Sequence, residues 1–558
     1  MAISEKSVNP APEASPDTHP EGIHAVNCRE WANSAEWSAL YGVRASLNVL
    51  MVMPRFPTTF WGLDYTFRDI LSGPRYPLPP LSLLTVAAFF PASWNVRVVD
   101  ENVRSVGGGD WRWADVLMMN AMLVQAQSVS RLTRRAHDAG LPVVLGGPHP
   151  SLAPEHYPEA DYIHRGEVGD ATPRLFADLA RTPGRPSGQR VYTVGEKLPL
   201  TVLPRPRYDL IRAGDYLSLS LQFAVGCPFN CEFCDIIEIY GRKPRVKNPG
   251  QILSELDGLL ATGHRGSVFF VDDNFIGNLP RVKALLPHII RWQAEHGHPF
   301  KFYTEASVNL AEHKDLLEDM RRAEFYAVFL GIETTVPEDL QATQKSQNAR
   351  RPLLDSVRII QSYGLEIWAG FILGFDTDRA DAGERMVAFI EESAVTLAMV
   401  NLLNAPIGTQ LWRRLKSENR LLPVTPAGDN VTDTNIAYRQ GQEAVFRQFR
   451  DVWDRLYDPV PFLRRVRRNL ELTRNQTTHY GRLLSWRVKL RSMPGLFWQM
   501  GVRGAYRVEF LRLFLWSLRH GLLDAFFSQM GMAYHCIRFR ERVLSGCMAQ
   551  GAEPPAKS

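Results

Sequence analysis

Gly226-Cys-Pro-Phe-Asn-Cys-Glu-Phe-Cys-Asp235 places three cysteines, Cys227, Cys231 and Cys234, within eight residues. The spacing Cys-x3-Cys-x2-Cys offers three thiolates where a cubane iron–sulfur (4Fe-4S) cluster normally takes four. One iron then keeps an open coordination position, the logic that separates catalytic from structural zinc sites. The motif is entered from an apolar, strand-like run, Leu217-Ser-Leu-Ser-Leu-Gln-Phe-Ala-Val225. The competing reading is a zinc knuckle or three unrelated thiols. A structural zinc site wants a fourth Cys or His at short spacing, and the nearest downstream histidine, His264, is thirty residues away. Cys28, Cys536 and Cys547 lie near the chain ends and form no second close set.

At 558 residues the chain is too long for one core, so three or four units are expected. Apolar residues make up 45% and charged residues 22%, as in an ordinary soluble globular protein. Six cysteines in this length make no disulfide scaffold, and a close thiol triplet points to a reducing, cytoplasmic compartment. The opening residues lack a basic start followed by an apolar core, so no signal peptide is expected. No uncharged apolar run approaches the ~20 residues of a membrane span. A net charge of +5 is too mild to argue for nucleic acid.

Residues 1–43 are rich in Pro, Ser, Ala, Glu and Asn without a sustained period, which predicts a disordered tail. Over 44–182 short apolar runs alternate with helical patterns. Strands are expected at Leu47–Met53, Asn95–Asp100, Ala114–Met119, Pro142–Gly146 and Asp161–His164, with helices at Leu81–Phe90, Val124–Ala139 and from Ala171. Such alternation means a Rossmann-like parallel α/β sheet wrapped by helices, with ligands across the carboxyl ends of its strands. Asn120 follows the third strand there, and Gly146-Gly147 the fourth, where a missing Cβ admits close approach. A Pro- and Gly-rich stretch, 183–216, reads as linker.

Strand–helix pairs resume over 217–425. Asp272-Asp273-Asn274 follow Gly266–Val271, Glu305 follows Lys301–Thr304, and Glu333 follows Phe325–Leu330. Gly374 and Asp376 follow Ile367–Leu373, and Pro406 and Gly408 follow Thr396–Leu403. With the cysteine strand these make six units, a partial (β/α)6 version of the TIM barrel, which places its chemistry at these strand ends. Singly, each run also reads as a turn or a solvated carboxylate; their serial placement is what points to a site.

Residues 426–558 read as a mainly helical extension. Arg464, Arg465, Arg467, Arg468, Arg474, Arg482, Arg487 and Arg491 crowd it, with few acids, between apolar runs such as Met493–Trp498 and Phe510–Trp516. Two readings stay open. The helices pack on the barrel with arginines snorkelling outward, or an amphipathic face lies in a bilayer interface.

The cysteine spacing with its strand resembles the radical S-adenosylmethionine (SAM) enzymes, in which the open iron chelates the amino and carboxylate groups of SAM. An open α/β sheet directly before that motif resembles the cobalamin-binding members of the family. Over nearly its whole length, extension included, the chain resembles the hopanoid C-methylase-like subfamily. The resemblance implies that Cys227, Cys231 and Cys234 hold the cluster and that Phe233 is the aromatic usual between the last two cysteines. It implies that Asp272, Asp273 and Asn274 stand where the SAM amino group is met, with Glu305 at the next strand end. Glu333 stands at the ribose-contacting strand end. Gly370-Phe-Ile-Leu-Gly374 resembles the Gly-x-Ile-x-Gly-x-x-Glu stretch near adenine, with Asp376 and Asp378 in place of the usual glutamate spacing, and Pro406-x-Gly408-Thr409 resembles the last adenine loop. Arg242, Lys243 and Arg245 meet the SAM carboxylate or a phosphate, or form a solvated charge cluster.

In the first unit, Gly146 and Gly147 stand at a cobalamin contact, and Asn120 stands where related proteins carry a Ser-x-Leu contact. The Asp-x-His-x-x-Gly loop that ligates cobalt elsewhere is absent: the first strand runs into Pro54-Arg-Phe-Pro-Thr-Thr-Phe-Trp-Gly62. The implied reaction is methylation of an unactivated carbon, through a 5′-deoxyadenosyl radical and methylcobalamin, consuming two SAM per turnover. The alternatives are a cyclase or carbon–carbon coupling enzyme with the same cofactors, and a non-catalytic cobalamin- or metal-binding protein. Implied partners are a small-molecule or lipid substrate and an electron donor such as a ferredoxin or flavodoxin. The basic tail allows peripheral contact with the inner face of a membrane.

Overall fold

Two six-stranded parallel sheets organise the computed structural model, which describes residues 46–181, 184–348, 350–423, 431, 433–473 and 483–546. The tail expected over 1–43, together with Arg474 and Arg482, lies outside the described residues. The first sheet comprises β1 (Asn48–Met53), β2 (Asn95–Asp100), β3 (Val116–Asn120), β4 (Val143–Gly146), β5 (Tyr162–Arg165) and β6 (Arg190–Thr193), in the order β2-β1-β3-β4-β5-β6. β1 is buried on both faces, Val49 and Met51 in one apolar cluster and Leu50 and Val52 in the other. That explains its unbroken apolar run, since a central parallel strand has no wet side. β6 falls in the stretch read as linker and pairs with β5 from Tyr162↔Arg190 to Arg165↔Thr193.

The second sheet is built from β7 (Leu219–Leu221), β10 (Gly266–Phe270), β11 (Phe300–Ala306), β12 (Phe325–Glu333), β13 (Glu366–Leu373) and β14 (Leu397–Leu402), paired in that order. Between β7 and β10, β8 (Ala224–Val225) and β9 (Arg245–Val246) form an antiparallel clip around the cysteine loop. The single strand expected over Leu217–Val225 is therefore broken after Leu221. Its cause is Asp272, whose Oδ1 accepts the Phe223 N–H at 2.8 Å and turns the chain out of the sheet.

A partial barrel leaves an edge strand with unpaired backbone groups, which a fold must cover. The extension covers β14. Tyr457 donates its hydroxyl hydrogen to the Ala398 carbonyl (2.8 Å) and accepts the Ala398 N–H (3.0 Å), and Trp453 Nε1 donates to the Val400 carbonyl (3.2 Å). Both residues come from the end of the helix Gln442–Leu456 and are fully buried. In the next helix, Pro459–Thr473, the Arg465 side chain is sealed from solvent between Glu391 and the Leu456 carbonyl. This part of the extension packs on the barrel, as one of the two readings expected.

The first unit is tied to the rest at two places. Arg245 of β9 donates to the Glu167 carboxylate at 2.5 and 2.7 Å, so the carboxyl edge of the first sheet meets the cysteine clip. The segment after β1 leaves its own sheet altogether. Phe60 and Ile70 join the core of the barrel and extension, the Thr59 carbonyl faces His535 Nε2 at 3.1 Å, and Thr66 Oγ1 donates to the Gly531 carbonyl at 2.5 Å.

Candidate active site

The cysteine loop begins where Gly226 takes φ +92°, a conformation open to glycine at no steric cost. A Cβ there would also stand 2.8 Å from the Gly241 carbonyl oxygen. Three consecutive residues after β10 brace this loop. Asp272 accepts from Phe223, Asp273 Oδ2 accepts the Gly226 N–H at 2.8 Å, and Asn274 Nδ2 lies 3.8 Å from Cys227 Sγ and 3.1 Å from Ser307 Oγ. Across the loop, Gln347 Nε2 lies 3.8 Å from Cys231 Sγ. Two amides therefore point N–H groups at two of the sulfurs, as acceptors carrying negative charge require. Cys231 is buried and Cys227 and Cys234 are half-buried. Burial pushes all three thiols above their ordinary pKa, so ionised sulfurs here need a cation to hold them.

Among the described residues no three His, Cys, Asp or Glu side chains converge on one ion. Three sulfur donors, with amide N–H groups turned toward two of them, suit a cluster that takes thiolate ligands and leaves one iron open. The donor set thus fits the cluster.

Glu333 and Lys345 form the electrostatic centre beside the sulfurs. Glu333 ends β12 with φ +67°, a conformation that costs an L residue about 1–2 kcal/mol. It is held there by Asn348, whose Nδ2 donates to the carbonyls of Gly331 (3.0 Å) and Ile332 (3.1 Å). The Glu333 carboxylate folds over Gly331 and Gly370, where the absent side chains leave it room, and pairs with Lys345. Lys345 Nζ stands 5.8 Å from the Phe233 ring centroid. Burial works against its charge, but Glu333 and the thiols of Cys231 and Cys234 hold the ammonium above its ordinary pKa.

Acidic groups gather at the neighbouring strand ends. Burial raises Asp272 to about 8 and Glu305 to about 8, with Asp273 and Asp272 adding to the latter. Asp273 rises to about 6, through burial and the charges of Asp235 and Glu167. Asp272 Oδ2 is buried without a hydrogen-bond partner, and so is Asn401 Oδ1 on β14. The two acceptors, one after β10 and one on β14 with three strands between them, are open to donors from a ligand, since buried polar groups are otherwise paired.

Gly374 takes φ +106°, and a Cβ there would lie 2.5 Å from the Tyr438 ring. Its N–H and that of Phe375 donate to Asp378 Oδ2 at 2.7 and 3.0 Å, and Phe375 packs on Phe233 with ring centroids 6.1 Å apart. Asp376, by contrast, is taken up by Arg414 and Arg420. Pro406 accepts from Thr409 (N at 3.1 Å, Oγ1 at 2.8 Å), and the space beside Gly408, φ +82°, is open. Gln410 Nε2 donates to Asn230 Oδ1 at 3.0 Å, stitching the last strand's loop to the cysteine loop.

Beneath the charged layer the inner face of the barrel is aromatic. Side chains alternate along a strand, so Tyr303 shares a face with Glu305, Phe329 with Gly331 and Glu333, and Trp368 with Gly370. Tyr303 and Trp368 rings lie 5.3 Å apart, and Phe269 stacks on Tyr303 at 4.6 Å. The face is closed by Trp61, from the loop after β1. Its ring lies 5.6 Å from Phe329 and 6.0 Å from Trp368, and its Nε1 donates to Met399 Sδ at 2.9 Å.

At the carboxyl edge of the first sheet, Gly147 has φ +108° and a Cβ there would stand 2.6 Å from Asn120 Oδ1 and 2.8 Å from Ala121 N. The tight contact that demands glycine is thus with the loop after β3. The sequence reading gave that glycine pair to the cofactor. Gln125 Nε2 donates to the Pro54 carbonyl at 2.5 Å and sets the exit of β1, and Met122 leaves its side chain about half exposed at the same edge. His149 is buried against the Tyr157 hydroxyl at 2.7 Å, and burial lowers it to about 4, so it stays neutral. An exposed apolar side chain on a glycine-rich edge facing the cysteine clip fits a broad, flat cofactor held without an imidazole from the β1 loop.

Of the residues expected at a site, Cys227, Cys231, Cys234, Phe233, Asp272, Asp273, Asn274, Glu305, Glu333, Gly370, Gly374, Pro406 and Gly408 gather at this end of the barrel, while Asn120, Gly146 and Gly147 share the facing edge. Arg245 is paired with Glu167, and Arg242 Nη2 donates to the Pro228 carbonyl at 3.3 Å. Lys345, Gln347, Asn348, Asn401 and Trp61 were missed. Lys345 was findable as a lysine in a polar loop after the Glu333 strand; Trp61 carried no periodic signal.

Comparison with known proteins agrees with this geometry. Residues 200–390 match the radical SAM superfamily, 68–176 the B12 binding domain, and 409–548 a domain of unknown function, DUF4070. The chain is 39% identical over 508 residues to the hopanoid C-2 methylase of Rhodopseudomonas palustris (strain TIE-1), covering 90% of this chain and 95% of that protein. It is 40% identical over 503 residues to an uncharacterized methyltransferase of Synechocystis sp., covering 89% and 92%. In fold it is similar to the cobalamin-dependent SAM radical enzyme OxsB with aqua-cobalamin and SAM bound, at TM-score 0.57 and 14% identity over 90% of this chain and 80% of that one. The chain belongs to the cobalamin-binding radical SAM enzymes, in their methyltransferase branch.

Proposed function

We propose that this enzyme methylates an unactivated carbon of an apolar, polycyclic lipid of the hopanoid type. The observation that carries the reading is the aromatic inner face of Phe269, Tyr303, Phe329 and Trp368, closed by Trp61 and capped by the charged layer. A flat apolar skeleton gains burial there without leaving a polar group unpaired. Near-full-length similarity to a hopanoid C-2 methylase supports the same class.

When bound, the cluster and SAM supply a carbon radical and cobalamin supplies the methyl group. The protein's share is placement. Asp272, Asp273 and Glu305 take the cationic amino end of SAM, and Glu333, steadied by Lys345, takes the ribose hydroxyls. Gly370, Gly374, Pro406 and Gly408 give the adenine a backbone-lined slot, with Phe233 and Phe375 against it. Trp61 keeps water from the lumen and sets the depth of the substrate. A ferredoxin or flavodoxin delivers the electron, and a seat on the inner face of a membrane suits a lipid substrate.

The test is anaerobic reconstitution with iron, sulfide, cobalamin, SAM and reductant, followed by mass spectrometry of a hopanoid incubated with the enzyme. A gain of one CH2 is expected. Loss of two hydrogens would show ring closure instead, and absence of 5′-deoxyadenosine would leave a non-catalytic carrier.

The acidic layer also sets a pH dependence. Asp272 and Glu305, both at about 8, are mostly neutral acids below about pH 8 and carboxylates above it. The SAM ammonium needs the carboxylate form. Affinity for SAM is therefore expected to climb as pH rises from about 6 to about 8, by up to about tenfold per pH unit for each proton released. Calorimetric titration in two buffers of different ionisation enthalpy reads the proton count directly. A flat affinity with no proton release would remove these two carboxyls from the SAM site.

A further inference from the structure

Eight of the twelve large apolar side chains exposed among the described residues fall within Trp486–Leu518. This run forms the helices Trp486–Leu496, Phe497–Arg503 and Arg507–Arg519. In the last of them Val508, Leu511, Leu515 and Leu518 recur at helical spacing on the solvent side, while Phe510, Leu513 and Ser517 face the core. A solvated helix face is normally polar. Here both faces are apolar.

The neighbouring helix adds to the same surface. Phe497 packs on Phe510 and Phe514, and Gly501 lies against Phe510, so the two helices run antiparallel. Successive residues turn by about 100° in an α-helix and by somewhat less in the π-helical turn Phe497–Arg503, and reversal of direction makes the residue after each packed position swing to one common side. Trp498, following Phe497, thus lies on the side of Leu511 and Leu515, with Val502 one turn further on; Trp498 and Leu515 are 54% and 56% exposed.

Charge chooses the occupant. Between Trp486 and Arg519 stand seven Lys or Arg and a single acid, Glu509. Arg487, Arg503, Arg507, Arg512 and Arg519 are exposed beside the apolar positions, with Arg503 over the Trp498 ring at 5.8 Å and Arg487 over Trp486 at 5.6 Å. A second copy would bring two cationic patches face to face. An anionic lipid surface answers both the apolar stripe and its basic surround. No described helix is long and apolar enough to cross a membrane, so the contact is with one leaflet.

We infer that the Trp486–Arg519 helices dock the enzyme on an anionic membrane surface, Trp498, Leu511 and Leu515 entering the acyl boundary and the arginines meeting lipid phosphates. This concerns binding alone and stands whichever carbon is methylated. The Trp486–Leu496 helix also meets the segment after β1, Ser492 Oγ accepting the Ser72 N–H at 3.1 Å.

The test is flotation of the full-length holoenzyme with phosphatidylcholine vesicles, with or without phosphatidylglycerol. Binding to the anionic vesicles is expected to exceed that to neutral ones by about tenfold or more at low salt, and to weaken as salt screens the arginines. A Leu511→Glu/Leu515→Glu protein is expected to lose that binding while still forming 5′-deoxyadenosine from SAM. Arg507→Ser/Arg512→Ser is expected to lose the anionic preference. Failure to float with either vesicle, unchanged binding by the glutamate variant, or a solution dimer that the glutamate variant dissolves would each overturn the inference.

Discussion

A Cys231→Ala protein is expected to fold, to lose its iron–sulfur absorption, and to form no detectable 5′-deoxyadenosine. The sulfur is one of three thiolate donors in a site that already lacks a fourth, so its loss leaves two. Structural loss is small, because a buried alanine replaces a small side chain whose contact with the Gln347 amide is long, at 3.8 Å. Circular dichroism and cobalamin binding should therefore match the parent, and iron content and SAM cleavage should collapse. Full SAM cleavage by this protein would defeat every role assigned to the cysteine loop.

The second large effect is expected at Lys345. Its pairing with Glu333 is buried, with side-chain exposures of 8% and 13%. Lys345→Met leaves a carboxylate with no cation in a dry site, a change that costs about 3–5 kcal/mol when the survivor stays charged. Combining Lys345→Met with Glu333→Gln removes the stranded charge and is expected to recover most of the stability without recovering SAM affinity. The ammonium also sits among the electrostatic neighbours of Cys231 and Cys234, so the single variant should make the cluster harder to reduce. Redox titration followed by electron paramagnetic resonance reads that shift independently of turnover. An unchanged midpoint together with unchanged melting would show the pair to be incidental.

Much of this architecture was legible because parallel strands buried on both faces write long apolar runs. β1, β2, β4, β10 and β14 lie within the runs read from the sequence, β12 and β13 overrun theirs by three residues and one, and polar residues after those runs do converge at one end of the barrel. What was hidden depended on contacts between distant segments. β6 is the four-residue Arg190-Val-Tyr-Thr193, alternating and polar at an edge, surrounded by Pro and Gly that read as linker. Lys345 acts through Glu333, twelve residues before it, across an irregular loop with no period. The Gly146-Gly147 pair was noticed for the absence of a Cβ, and at Gly147 the space a Cβ would take is filled by Asn120 and Ala121, a contact between loops that no local pattern announces. Of the tail's two readings, packing on the barrel holds for the helices Gln442–Leu456 and Pro459–Thr473, while Trp486–Arg519 keeps apolar side chains exposed.

The Thr59–Ser72 segment has a consequence for how such proteins diversify. It departs from the first sheet, lays Trp61 across the barrel mouth, and is fastened to the final helix through His535, Gly531 and Tyr534, whose hydroxyl donates to Asp69 Oδ2 at 2.9 Å. The front unit and the tail are therefore not interchangeable modules bolted to a common engine. Recombination that swaps one without the other cuts through a shared knot, so the two ends of the gene are constrained to travel as a matched set.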